Sequence, residues 1–382
     1  MKRDLQRIEI PGEYDARRRT WNIVRAAYLE RERVSWPRRH ARELALAAAV
    51  VAVVAAAFTS PGRSVVNSIR DTVGREKVVG VRNADRELVR LPAPGRLLVQ
   101  SRRGAWIVQQ DGSRRRLGPY RDVAWSPHGL FVAGVLHARE LVALDPQGNV
   151  RWEKPHKQHV AFPRWSYEGY RIAYLAGSTL RVIVGNGTRD HGIGPADRNV
   201  APAWRPGTHE VAYVGRAGLV RVVDADTRKL VWHAPPEAGG VRALAWSDDG
   251  ARLLVLGHQS VSVYLSAGRV VGRRPTLGLS RAAAFAPGSH RFALTSGPML
   301  LLVDADTLRF PSRPLFTGAP SLGDVAWSPN GRWLLIAWPA ADQLVFVRSR
   351  GTPKLSAVSN VSRQFHSRFF PGIGGWTVSI AP

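Results

Sequence analysis

The sequence predicts an all-β fold: a seven-bladed β-propeller preceded by a single N-terminal transmembrane helix. Three observations carry this. A unit of about forty residues recurs along most of the 382-residue chain. Each unit holds an aromatic at constant phase, then a tight turn and an alternating apolar run. A lone 19-residue segment, Leu44 to Gly62, carries no charge.

Residues 1–43 read as a cytoplasmic basic arm with twelve Lys/Arg against seven Asp/Glu. Within it, Trp21, Val24, Ala27 and Tyr28 recur at helical spacing, and Pro37 interrupts the pattern. Residues 44–62 begin "LALAAAVVAVVAAAF" and approach the length of about 20 residues that crosses a bilayer core. A signal peptide would have a much shorter basic leader. Arg31, Arg33, Arg38, Arg39 and Arg42 precede the span, whereas Arg63, Arg70 and Arg75 follow it. That bias keeps the N-terminus cytoplasmic and puts the rest outside the cell membrane. Residues 63–94 read as a stalk helix, with Val65, Val66, Ile69 and Val73 on one face, and then a linker.

Residues 95–382 hold the repeat. "DVAWSPHGLFVAGV", "PRWSYEGYRIAYLA", "PAWRPGTHEVAYVG", "LAWSDDGARLLVLG", "AAFAPGSHRFALTS" and "DVAWSPNGRWLLIAW" place the aromatic at Trp125, Trp165, Trp204, Trp246, Phe285 and Trp327. The intervals are 40, 39, 42, 39 and 42 residues. A first strand ends in the aromatic, and a glycine supplies the positive φ of the turn. A second strand follows, then a third ("ELVALDPQG", "MLLLVDADT") and a weaker fourth ("NVRWEKP"). Four short antiparallel strands in some forty residues make a propeller blade. A degenerate seventh copy, "RFFPGIGGWTVSIAP", puts its aromatic at Phe370. Its missing strands are supplied by "GRLLVQS", "GAWIVQQDGS" and "RRRLG" near residue 100, so the two ends complete one blade. Six blades is the alternative if these fragments do not combine.

The turns "WSPHG", "WSYEG", "WSDDG" and "WSPNG" resemble the "WSPDG" turn of WD-like, TolB-type β-propeller repeats. "WRPGTH" and "FAPGSH" depart from it, with glycine one place early. The resemblance implies a binding platform and covers residues 95–382. "LVALDPQGNVRW" and "VVDADTRKLVW" also look like quinoprotein propeller repeats, but no dehydrogenase elements accompany them and no cofactor is carried over.

The formal charge is +26, and only six of the 55 basic residues are lysine. Arginine-rich composition bias and an anionic partner both account for this. There is no cysteine, which excludes disulfides, thiolate metal sites and cysteine nucleophiles. No G-x-S-x-G elbow marks a serine hydrolase. His156 and His159 form the one close histidine pair, without a carboxylate beside them, so no metal is expected. Asp224 and Asp304 open "DADT" runs that read as hairpin turns.

Four residues before the phase aromatics stand Arg121, Ala161, Val200, Arg242, Arg281, Gly323 and His366. Arg121, Arg242, Arg281 and His366 are therefore expected to ring one mouth of the central channel and to attract a phosphate or carboxylate. The functional expectation is a non-enzymatic binding or scaffolding module for a protein partner or an anionic cell-envelope component. A hydrolase or lyase working at the channel mouth, or a signalling regulator acting through the arm, are the alternatives. Nucleic acid is not expected, because no recognition motif accompanies the charge.

Overall fold

The computed structural model describes residues 84–351 and 354–378, within the unit Glu76–Pro382. The readings of 1–43 as an arm, 44–62 as a span and 63–83 as a stalk lie outside the described residues. Among the described residues no helix is long and apolar enough to cross a membrane.

The chain enters with β1 (Arg96–Ser101), β2 (Gly104–Val108) and β3 (Arg114–Gly118). Blade 1 is β4 (Arg121–Trp125), β5 (Val132–Leu136), β6 (Glu140–Leu144) and β7 (Val150–Pro155). Blade 2 is β8 (Val160–Trp165), β9 (Arg171–Ala176), β10 (Thr179–Val184) and β11 (His191–Pro195). Blade 3 is β12 (Ala203–Trp204), β13 (Glu210–Val214), β14 (Val220–Asp224) and β15 (Leu230–Ala234). Blade 4 is β16 (Val241–Trp246), β17 (Arg252–Gly257), β18 (Ser260–Leu265) and β19 (Val270–Pro275). Blade 5 is β20 (Ser280–Phe285), β21 (Arg291–Ser296), β22 (Met299–Asp304) and β23 (Phe316–Thr317). Blade 6 is β24 (Val325–Trp327), β25 (Trp333–Trp338), β26 (Gln343–Arg348) and β27 (Leu355–Val358). After a single-turn helix, α1 (Val361–Gln364), comes β28 (Gly372–Thr377).

β28 pairs with β1, so blade 7 runs β28-β1-β2-β3 and joins the two ends of the repeat region. The first strands β4, β8, β12, β16, β20, β24 and β28 touch their neighbours in a closed cycle. The fold is a seven-bladed propeller, not a six-bladed one, and its innermost strands surround the axis.

The turn motif has a physical reason. Ser126, Ser166, Ser247 and Ser328 are buried, and each hydroxyl accepts the N–H of the residue five places on. The glycine N–H in turn donates to the serine carbonyl, as Gly129 does to Ser126. The glycine φ of +66° at Gly129 is costly for any residue with a Cβ. Where serine is missing, after Trp204 and Phe285, Thr208 and Ser289 accept the N–H two places on instead. The shifted glycines, Gly207 and Gly288, follow from that different turn.

Seven apolar layers fill the seven spaces between blades. Trp165 packs with Ala133 and Leu141 of blade 1, Trp204 with Ala173 and Leu175 of blade 2, and Trp246 with Ala212 and Val214 of blade 3. Trp327 packs with Ala293 and Leu300 of blade 5, and Phe285 lies against the layer joining blades 4 and 5. Trp125 lies against the layer joining blades 7 and 1. Fully burying one such side chain stabilises by about 1.5–3 kcal/mol, whereas an exposed ion pair contributes about 0–1. The layers therefore hold the ring. Residues 84–95, read as a linker, join the last layer: Leu88, Leu91 and Ala93 are buried with Phe346 and Trp376.

The seventh aromatic needs correction. Trp125 opposes Val132 and Trp327 opposes Leu334, each the first or second residue of the neighbouring strand. In blade 7 the residue in that register is Trp376, opposite Leu97. Phe370 precedes β28 and is only partly buried. The longer connection from blade 6, from Val358 to Gly372 and holding α1, shifts the count away from the regular period.

Antiparallel strands sort the loops. Turns between first and second strands, and between third and fourth, share one face of the ring. Entry loops to first strands, and turns between second and third, share the other, called here the entry face. On the turn face the two departing blades build a clasp. His209 meets Asp226 at 2.7 Å, and Arg171 of blade 2 meets the same carboxylate at 2.7 Å. His290 bridges Asp249 of blade 4 (2.7 Å) and Asp306 of its own blade (2.8 Å), with Arg252 of blade 4 on Asp306. Hydrogen bonds to Asp249 and Asp306 raise the His290 pKa. Burial works against Asp249 and Asp306, but bonds from Ser247 and His290 to the first, and from His290 and Arg252 to the second, outweigh it and hold both carboxyls low.

The sign follows from linkage. A raised histidine pKa adds stability that is complete below the ordinary value near 6.5 and fades as pH rises through the raised value. Lowered carboxyl values add stability that holds above the ordinary carboxylate range and fades on acidification. Thermal melts of wild type and His290→Gln should therefore differ most between about pH 4.5 and 6.5 and converge at alkaline pH. A difference that grows with pH would contradict the clasp.

Candidate functional site

The inner wall of the ring is built mostly from small residues. β16 and β20 present Ala243, Ala245, Ala282, Ala283 and Ala284, all partly exposed. Small side chains are what seven strands converging on one axis can accommodate. Charge stands out against that wall.

Arg242 and Arg281 begin the first strands of neighbouring blades, each at a β-bulge between Val241 and Ala243 and between Ser280 and Ala282. A bulge places an extra residue on one strand and turns its side chain away from the regular alternation. The structure brings the two together: the Arg242 guanidinium donates from Nε to the Arg281 carbonyl at 2.8 Å. Arg121 starts the first strand of blade 1, exposed, next to a bulge of its own. Among the described residues none of the three makes a salt bridge.

His366 does not join them. By the register of Trp376, the blade 7 residue four places before the phase aromatic is Gly372, and His366 lies earlier, just beyond α1. Its ring stacks on Trp106 of β2 at 5.6 Å and 22°. The wrong phase aromatic, Phe370, led to the wrong residue.

Two carboxylates on the wall escaped the sequence reading. Asp122 and Asp324 stand three residues before Trp125 and Trp327, in the paired "DVAWSP" units. Each accepts a backbone N–H from the next blade: Phe162 on Asp122 at 3.4 Å and Ile373 on Asp324 at 3.0 Å. The shared "DVAW" start was a legible signal. Asp324 is open to water in the lumen but enclosed by the ring. That enclosure pushes its carboxyl up, against the Ile373 N–H and the charge of Arg242, which pull it down. Enclosure likewise lowers the Arg164 pKa, with Asp122 opposing.

The entry face beyond the mouth carries Arg102, Arg103, Arg139, Lys157, Arg363 and Arg368. Three of its acids are engaged. Asp342 accepts from the Ser362 N–H and hydroxyl, and Asp197 from the Asn199 N–H. Glu237 is 4% exposed and accepts from Ser260, Ser262 and Arg273. On the turn face, by contrast, Asp145, Glu168, Asp226, Asp249 and Asp306 pair with arginines or histidines. Both faces keep arginines without salt-bridge partners among the described residues, and on the entry face they include the three at the channel mouth.

The other sequence candidates have local roles. His156 shares the Tyr174 hydroxyl (3.1 Å) with Asp190 and Arg181. Asp224 and Asp304 each accept two backbone N–H groups within their own turns.

No protein-family model matches this chain. No curated protein matches it either. Among solved structures, it is similar to a chain in "Crystal Structure of Mitotic Checkpoint Complex", with 18% identity and a TM-score of 0.51 over 62% of this chain and 77% of that one. At that identity the likeness shows the propeller fold alone.

Proposed function

We propose that this protein is a membrane-anchored, non-enzymatic binding platform that offers the entry face of its propeller to an anionic group on a protein partner or cell-envelope component. One observation carries the reading. Arg121, Arg242 and Arg281 begin first strands at the entry side without salt-bridge partners among the described residues, while the two carboxylates on the wall, Asp122 and Asp324, are each tied to a backbone N–H. Unpaired guanidinium groups facing a lumen recognise carboxylate or phosphate bidentately. β-Propellers commonly mediate protein binding or scaffolding, and the chain's turns support placing it with TolB-type repeats.

The rival enzyme reading asks for an acidic cluster converging on the channel. The wall instead carries Asp122 and Asp324 in different blades, each tied to a backbone N–H. The regulator reading rests on residues 1–43 alone.

The face-specific reading has a direct test. On immobilised polyglutamate near physiological salt, Arg121→Glu/Arg242→Glu/Arg281→Glu should elute at much lower salt than wild type. Asp324→Asn should elute later than wild type, and Arg332→Glu/Arg350→Glu on the turn face should change little. Equal losses from both faces would reduce the effect to net charge and overturn the proposal. Anchoring through 44–62 is proposed on the length and charge-free composition of that segment. Protease added to intact cells should remove the propeller; full protection, with digestion only after lysis, would contradict the outward orientation.

A further inference from the structure

A second basic feature lies on the entry face, away from the axis, where α1 and its following loop meet blade 7. Two adjoining grooves, of about 460 and 530 Å³, share Arg103 and His366. The first is walled by Trp106 and Arg116, the second by Arg102, Arg363, Arg368 and Phe369. Arg102 lies with its guanidinium 3.6 Å from the centre of the Phe369 ring, which remains 51% exposed. Stacking of that kind fixes the guanidinium plane and leaves its N–H edges for a ligand. None of these five arginines has a carboxylate partner among the described residues. Arg116 is held by donating to the Arg103 carbonyl, so the two walls are tied together.

We propose that this groove docks an extended acidic peptide segment. This deepens the entry-face reading above by naming a second site and its ligand class. Charge selects the sign of the ligand, and the neutral features select a peptide. Phe369, 51% exposed, offers apolar surface that a bare polyphosphate has no group to cover. β3, which carries Arg116, is the outermost strand of its blade and, among the described residues, pairs with β2 alone. Its free backbone edge lies beside the groove, and among polyanions only a peptide can continue a β-ladder there. Alternating side chains of an added strand would then place acids toward the arginines and apolar groups toward Phe369.

The probe is a fluorescein-labelled decapeptide of alternating Glu and Val, measured by anisotropy on the full chain near physiological salt. Micromolar binding is expected, weakened about tenfold or more by Arg103→Glu/Arg363→Glu and about threefold by the milder Arg103→Gln/Arg363→Gln. A thermal melt confirms that each variant is folded. Inorganic polyphosphate and phosphatidylglycerol vesicles serve as competitors. Displacement by either at a lower concentration of negative charge than unlabelled peptide overturns the peptide assignment. Loss confined to Arg121→Glu/Arg242→Glu/Arg281→Glu, with the groove variants binding normally, overturns the groove and leaves the channel-mouth reading standing. Absence of binding by wild type overturns the proposal.

Discussion

The structure depends on one set of backbone hydrogen bonds, those between β28 and β1. Every other blade is assembled from strands adjacent in sequence, and its two flanking layers are supplied by blades next to it in the chain. Blade 7 alone joins residues 279 positions apart, Leu97 beside Trp376. Without it the inner face of blade 1 and the outer face of blade 6 would expose Leu144, Val142, Leu335 and Phe346, which are now essentially buried. Seven apolar layers exist only because seven blades close. Exposed ion pairs such as the His290 clasp adjust stability at the rim but are too weak, at about 1 kcal/mol or less each, to substitute for a layer.

The repeat was legible because its physics is local. Ser328 and Gly331 make the turn after Trp327 within six residues, and the same chemistry recurs wherever those residues do. The ring count was legible for a related reason: an incomplete blade cannot bury its faces, so unmatched strands at both ends must combine. What misled was the last aromatic. Phe370 falls near the expected interval, but the loop carrying α1 moves the register to Trp376. A period measured along the chain cannot detect a longer loop in the one blade whose strands come from both ends. His366 inherited that error, whereas Arg242 and Arg281, anchored on unambiguous aromatics, stand side by side.

The charge pattern was legible in sign and not in place. An excess of arginine gives no information about which arginines find partners. The fold decides it, because turn-face loops of neighbouring blades bring Asp226 and Asp306 against Arg171 and Arg252, while Asp342 and Asp324 on the entry side accept backbone N–H groups. The groove beside blade 7 was invisible for the same reason. Arg103 and Arg363 meet only because the chain's ends do.

The closing blade is open to direct measurement because the chain contains no cysteine of its own. Val99 and Ile373 are Cα partners across β1 and β28, within the reach of a disulfide. In a Val99→Cys/Ile373→Cys variant, the account predicts an intramolecular crosslink on mild oxidation of the native protein, visible on a non-reducing gel. The oxidised form should unfold at higher temperature than the reduced form, because the bond encloses nearly the whole ring. Thiols that stay reduced in the folded state, and bridge only between molecules or after denaturation, would contradict a ring closed by its two ends.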